Sequence, residues 1–289
     1  MKRVLYIIIG IITCLSSYAA GAGSVKALPQ DSATICRLLT EAKTLSASTC
    51  LPLFFAQKFV GIPYVAHTLE GDQQERLVIN TRQLDCTTLV ETVTALTLCA
   101  QHKEYSWLAY QRALTGLRYR GGVINGYPSR LHYFTEWITD NTRDGVVSEV
   151  QAPNPPFSAV QTVKVNYMST HPKSYQALRQ HPEYVSAIAK QEQQVSGAKY
   201  RYIPKKQVGK SQLLRKAIKD GDIIAITCNK AGLDIAHLGF AVWRADGLHL
   251  LNASQLHHKV VVEPMTLYQY LKKHPSHTGI RIIRIKNNK

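Results

Sequence analysis

The chain has 289 residues, which at roughly 150 residues per domain allows one large or two modest domains and a core that needs no covalent staple. Hydrophobic residues make up 45% and charged residues 19%, with 12 Pro and 17 Gly, a balance that excludes disordered, collagenous and low-complexity chains. Lys and Arg outnumber Asp and Glu 35 to 19, a net charge of +16, which favours anionic partners without choosing among nucleic acid, acidic lipid and wall polymer.

The N-terminus reads as an address. Met1-Lys2-Arg3 is basic, Val4 to Leu15 is almost wholly apolar, and Ser16 to Ala22 supplies small residues for cleavage after Ala19 or Ala22, the three regions of a secretory signal. Residues 1–22 are therefore expected to be removed, with a retained anchor as the alternative. The run is shorter than the ~20 residues that span a bilayer, and the residues around Cys14 do not form a lipobox. The expectation is an exported protein with no stable membrane insertion, periplasmic in a Gram-negative source. Cys36, Cys50, Cys86, Cys99 and Cys228 then remain, an odd set in an oxidising compartment. Cys36 and Cys50 bracket a short Ser/Thr-rich stretch and are expected to pair. Cys99 and Cys228 lie in apolar contexts and read as buried, inert thiols.

Asp31 to Val60 carries a helical pattern, closed by Gly61-Ile62-Pro63-Tyr64. Beyond a charged loop, Leu84-Asp85-Cys86 precedes Leu89, Val90, Val93, Leu96 and Leu98, apolar at spacings of three and four, which predicts a buried amphipathic helix. Tyr105 to Leu117 and Tyr127 to Asp140 read as further helices, and the proline-rich 151–158 as a loop. After Tyr167 the pattern is mixed until Lys219-Asp220-Gly221-Asp222, which opens the strand Ile223 to Thr227. His237 to Trp243 and Leu248 to Asn252 flank Asp246-Gly247, a hairpin signal. Val260 to Val262 and Ile280 to Ile285 add strands, with a helix from Met265 to Lys273 between them. Helices first and antiparallel strands later predict an α+β fold.

Cys86 falls at the start of its helix, where free N–H groups and the helix dipole can stabilise a thiolate and lower its pKa, and where the same donors can hold an oxyanion. Thr88-Leu89-Val90-Glu91 is itself a capping-box pattern and would start the helix two residues later. A small core cysteine is the bland alternative. A cysteine hydrolase also needs an imidazole and a group that fixes its tautomer. In the first hairpin strand His237 faces away from Leu238, Phe240 and Val242. With a two-residue Asp246-Gly247 turn, Asn252 pairs with Ala241 and shares the face of His237, whereas His249 points the other way. That register leaves Asn252 four residues along, so a bulge or longer turn is required, with Ser254 as the fallback. His257-His258 and His249 lack a zinc spacing, so no metal or other cofactor is expected, and no nucleic-acid motif is present.

Gly61-Ile62-Pro63-Tyr64, Leu84-Asp85-Cys86-Thr87-Thr88-Leu89-Val90-Glu91, Asp220-Gly221-Asp222-Ile223, His237-Leu238-Gly239-Phe240-Ala241 and Asn252-Ala253-Ser254 resemble, in order, the motifs of NlpC-type papain-like peptidoglycan hydrolases. Tyr119-Arg120-Gly121-Gly122, Tyr127 to Phe134 and Asn166 to Pro172 resemble more narrowly the N-acetylmuramoyl-L-alanine amidase-like branch. The resemblance covers most of residues 23–289. It implies a single papain-like catalytic domain with a helical N-terminal part (about 31–60), a nucleophile helix packed on an antiparallel sheet, and an inserted substrate-binding region (about 118–210). It also implies Cys86 as nucleophile, His237 as general base and then acid, and Asn252 as third member, where a histidine is frequent. Tyr64, placed near the thiolate, and Asp85, which helps shape the substrate site and is an N-cap at the same time, are implied as oxyanion or substrate-binding residues. Arg118, Tyr127, Ser129, Arg130 and Tyr133 are candidates for oxyanion or substrate binding, because aromatic faces stack on sugars and arginines bind carboxylates. The expected activity is hydrolysis of the bond between N-acetylmuramic acid and L-Ala in peptidoglycan or muropeptides by a monomer. The alternatives are a γ-D-glutamyl-diamino acid endopeptidase and a non-catalytic basic wall-binding protein.

Overall fold

A computed structural model describes residues 25–72 and 74–287. The signal-like segment 1–22 and Cys14 lie outside the described residues. Five helices come first: α1 (Pro29–Ala42), α2 (Leu51–Lys58), α3 (Cys86–Gln101), α4 (Trp107–Arg118) and α5 (Phe134–Arg143). The single helical run expected from Asp31 to Val60 is thus two helices. The helix expected from Tyr127 begins only at Phe134, behind a 3-10 turn over Tyr127–Ser129 that contains Pro128.

Eight strands follow or interleave: β1 (Val147–Val150), β2 (Ala159–Thr162), β3 (Lys199–Pro204), β4 (Ile223–Cys228), β5 (Ile235–Arg244), β6 (Gly247–Ser254), β7 (Lys259–Val262) and β8 (His277–Ile285). They form one sheet in the order β2-β3-β8-β4-β5-β6-β7, with β1 also on β8, and every pairing is antiparallel. The α+β class read from the sequence holds.

The sheet is buried on both faces. On one, Ile223, Ala225, Leu238, Phe240, Leu251 and Ala253 pack against Ile35, Leu38, Leu39, Leu89, Val93 and Leu96 of α1 and α3. On the other, Ile224, Ile226, Ala241, Leu250 and Ile282 are covered by Val208, Leu214, Leu267 and Leu271. This explains why β4 reads as a continuous apolar run rather than an alternating one. A third cluster joins Tyr127, Tyr133, Val163, Val165, Met168, Leu178 and Ile188, giving residues from 127 to 188 a small core of their own beside the start of α3.

The expected Cys36–Cys50 disulfide is absent, and both cysteines are free. Cys36 stands on α1, while Cys50 caps α2 and directs its Sγ to the Asp220 carbonyl oxygen at 3.3 Å. The Cys50 thiol is therefore directed to the turn before β4 and not to Cys36. Cys99 and Cys228 are buried and free. Among the described residues no helix is long and apolar enough to cross a membrane.

Candidate active site

α3 begins at Cys86 because Asp85 caps it. The Asp85 carboxylate accepts the Thr88 N–H at 2.8 Å, and the Thr88 hydroxyl accepts the Asp85 N–H at 2.9 Å. The capping box is therefore Asp85–Thr88, one turn ahead of the Thr88–Glu91 pattern. That leaves Cys86 as the first residue inside the helix, where an N–H has no helical partner. Glu91 is used otherwise: buried on α3, it is bound by the Arg118 Nε at 2.7 Å.

The half-buried Cys86 faces its own N–H, the Leu238 N–H, Thr87, Asp85, Tyr64 and Tyr270. Burial pushes the Cys86 thiol up to about 12, and the Asp85 carboxylate adds to the rise against the opposing pull of the Leu238 N–H and Thr87. Burial thus opposes the helix-activated thiolate expected from the sequence and favours the protonated thiol. Burial likewise lowers the pKa of His237, opposed by Asn252 and by the more distant Glu263. Burial therefore favours the neutral form of both the thiol and the imidazole.

The imidazole is set by strand register. β5 and β6 pair as Arg244↔Gly247 through Phe240↔Leu251, so the turn residues are Ala245 and Asp246, and Gly247 is already in the strand. Continuing that ladder by one step puts Asn252 opposite Gly239, two residues from His237 instead of four. No bulge between β5 and β6 is needed. Gly239 matters here because a Cβ on it would come within 2.6 Å of the Leu251 carbonyl oxygen. With no side chain intervening, His237 Nε2 meets Asn252 Oδ1 at 2.9 Å. Asn252 Nδ2 in turn donates to Glu263 Oε1 at 3.0 Å, which fixes the amide with its oxygen toward the histidine. His237 Nε2 must then carry the ring proton, leaving Nδ1 with a free lone pair. Ser254, the fallback, is buried and accepts the His257 N–H at 3.4 Å.

Cys86 and His237 open into one cavity of about 270 Å³, walled by His67, Glu70, Thr87, Tyr127, His132, Tyr133, Phe134, Trp137, Met168, Tyr175, Asp234 and Leu238 among others. Tyr127 and Tyr133 line that cavity. The Tyr133 hydroxyl is already given to Glu192 at 2.7 Å, so its ring rather than its hydroxyl faces a ligand.

The other binding candidates are placed elsewhere. Arg118 is 2% exposed and holds Glu91 and the Val78 carbonyl oxygen, so it braces α3 and reaches no ligand. Arg130 is bound to Glu75 through two nitrogens and to Glu70 at 2.7 Å, and its guanidinium lies over the Tyr127 ring at 5.0 Å, so it acts on the cavity by bracing these two wall residues. The Ser129 hydroxyl closes its turn on the Gly126 carbonyl oxygen. The acidic partners of both arginines lie 27 to 60 residues away in sequence, so an arginine read in isolation looked free for substrate.

Sequence reasoning missed His67, Glu70, His132, Tyr175 and Asp234 as wall residues. His132, inside a quoted motif, was the one with a signal. It meets the Tyr127 carbonyl oxygen at 3.0 Å, and burial lowers its pKa to about 3, so it is a neutral polar group on the wall. Among the described residues no group of three or more His, Cys, Asp or Glu is arranged to hold a metal.

A mixed helix and antiparallel-sheet fold with a capped cysteine and a tethered histidine on one cavity defines a class close to amidase structures. A family model described as N-acetylmuramoyl-L-alanine amidase-like, or AmiA-like, matches residues 54–280, and the chain belongs to that family. It is similar to a crystal structure of an N-acetylmuramoyl-L-alanine amidase from Bacteroides uniformis, with TM-score 0.77 and 44% identity over 82% of this chain and 97% of that one. A Bacteroides fragilis structure described as a candidate xylanase is 44% identical over 80% of this chain and 99% of that one, with TM-score 0.75. A Legionella pneumophila protein shares the fold at 22% identity, with TM-score 0.68 over 89% of this chain and 94% of that one. No curated protein matches the chain.

Proposed function

We propose that the protein is an exported amidase that hydrolyses the bond between N-acetylmuramic acid and L-Ala by a Cys–His mechanism on a papain-like, NlpC-type scaffold. The observation that carries this reading is the meeting of Cys86 and His237 on one cavity, with His237 Nε2 bound to Asn252 so that Nδ1 is the basic nitrogen. His237 Nδ1 takes the Cys86 proton as the sulfur attacks the lactyl carbonyl carbon. The resulting oxyanion is met by the Cys86 N–H at the head of α3. His237 then returns the proton to the departing amine of L-Ala, leaving a muramoyl thioester. Water, deprotonated at Nδ1, attacks the thioester; the products are a free lactyl carboxylate and a stem peptide beginning with L-Ala.

Export rests on the signal-like residues 1–22, and the positive charge supports an anionic wall substrate. The tyrosines of the wall offer flat faces to a saccharide. A glycosidase would need two carboxyl groups across a sugar bond, one of them a proton donor. The wall carboxylates Glu70 and Asp234 are instead occupied as acceptors for Arg130 and for the Thr135 and Ile235 N–H groups.

Mass spectrometry of purified muropeptides after digestion tests the reading. The expected products are an intact peptide starting at L-Ala and a peptide-free muramyl sugar, with activity abolished by Cys86→Ala. Cleavage inside the stem peptide would select the γ-D-glutamyl endopeptidase instead, and a fully active Cys86→Ala protein would remove the cysteine mechanism.

A further inference from the structure

Behind Asn252 lies a buried carboxylate that the mechanism above does not use. Glu263 is fully buried, as is Asn252, and it follows directly on β7. Its backbone is clamped on both sides: its N–H donates to the Leu250 carbonyl oxygen at 2.8 Å, and its own carbonyl oxygen meets His249 Nδ1 at 2.9 Å. The carboxylate itself is held by Asn252 Nδ2 on one oxygen at 3.0 Å and by His257 Nε2 on the other at 3.1 Å. Glu91, Glu136 and Asp222, also buried, have their charge met by Arg118, Arg120 and Arg284. Among the described residues Glu263 has no arginine or lysine; its ion-pair partner is the partly exposed His257. A buried carboxylate is costly to keep in place, and here one of its oxygens is held by the amide that binds His237 and the other by His257.

We propose that Glu263 is a positioning residue for His237, acting through Asn252. Its carboxylate holds the amide with the carbonyl oxygen toward the ring and supplies, one residue removed, the negative charge that stabilises the imidazolium formed when Cys86 gives up its proton. A neutral asparagine alone can orient the ring but cannot offset its charge; an asparagine backed by a buried carboxylate does both, because hydrogen bonds in a chain polarise one another. The inference rests on the Cys86–His237 reading. His237 is faced by Asn252 and Glu263 on the β6 and β7 side, by Tyr270 and His274 from the helix Leu267–Lys272 and the residues after it, by His277 from β8, and by Asp85 ahead of α3. Glu263 and Asp85 are the carboxylates among them.

Glu263→Gln keeps the shape and an acceptor for Asn252 while removing the charge. The expected result is a fall in kcat of roughly ten- to a hundredfold, a share of the ~10²–10⁴-fold that a positioned base supplies, with KM unchanged. The acid limb of the pH–rate profile should also move to lower pH, because an imidazolium without its counter-charge deprotonates more readily. The double variant Asn252→Asp with Glu263→Gln moves the charge one residue inward and keeps the chain of hydrogen bonds. It should restore most of kcat and carry the acid limb back up, and it tests the idea even if the single variant does not fold. Wild-type kcat and an unmoved acid limb in Glu263→Gln, or no recovery in a folded double variant, would overturn the role of Glu263. Cys86→Ala run alongside separates the two readings: if it is inactive while Glu263→Gln behaves as wild type, this inference alone falls, and if it is active, the parent mechanism falls.

Discussion

The two halves of the site are built in opposite ways. The sulfur is placed locally: Asp85, Cys86 and Thr88 are neighbours in sequence, and one cap sets where α3 starts. The imidazole is placed by distant chain: His237 on β5, Asn252 on β6, and Glu263 beyond β7, linked side chain to side chain. A local arrangement depends on whether its helix is held, so damage to it is read as lost stability. A chain of buried polar groups across strands depends on each bond, so damage is read as lost rate while the fold stands.

The largest effect expected on the sulfur side comes from Arg118. Arg118→Met leaves the buried Glu91 of α3 without its counter-charge, which costs about 3–5 kcal/mol of folding stability. Urea unfolding should show that loss, while KM per folded molecule stays at the wild-type value. A raised KM with unchanged stability would give Arg118 a ligand and break the comparison, since the sulfur side would then owe its long-range contact to substrate rather than to bracing.

The same contrast explains what the sequence disclosed. Cys86, Asp85 and the helix after them were legible because the apolar spacing and the cap are contiguous. Asn252 was legible by strand parity alone, which survives a register error of two residues; its distance from His237 was not, because the turn took Ala245 and Asp246 rather than Asp246 and Gly247. Glu263 left no trace in the sequence, where it is one acidic residue after Val260-Val261-Val262. β1 and β2 were missed because they are four residues each and carry Ser or Gln at half-exposed positions, so neither an apolar run nor a clean alternation marks them, whereas β3 does alternate in Lys199-Tyr200-Arg201-Tyr202 and its signal was passed over. Arg118, Arg130 and the Cys36–Cys50 pair were misread for one reason: the partner of each group is fixed by the fold and not by what lies near it in the chain.

A second prediction concerns protons, and it concerns both sides at once. With the Cys86 thiol pushed up to about 12, the thiolate fraction grows tenfold per pH unit throughout the accessible range. Alkylation by iodoacetamide should therefore climb from pH 6 to pH 10 without levelling off. Hydrolysis should behave differently, because it needs only a neutral His237. Since burial lowers the pKa of His237, the base stays available as pH falls past the ordinary value near 6.5, and activity should be lost only below it, as pH passes through the lowered folded value. Alkylation that reaches a plateau in mild acid would mean a resting thiolate–imidazolium pair, and the two sides would then be coupled before substrate arrives.

The smallest effect separates two duties of Asp85. As an N-cap it satisfies the Thr88 N–H, a role asparagine fills about as well and alanine does not. As a charge it raises the thiol pKa of Cys86. Asp85→Ala should lose about 1 kcal/mol of stability together with the charge, whereas Asp85→Asn should keep the stability to within a few tenths of a kcal/mol and still speed alkylation of Cys86 at pH 8. Thermal unfolding and alkylation rates on the same two proteins decide the matter. If Asp85→Asn alkylates no faster than wild type, the carboxylate acts on the sulfur through the cap alone, and the height of the thiol pKa belongs to burial.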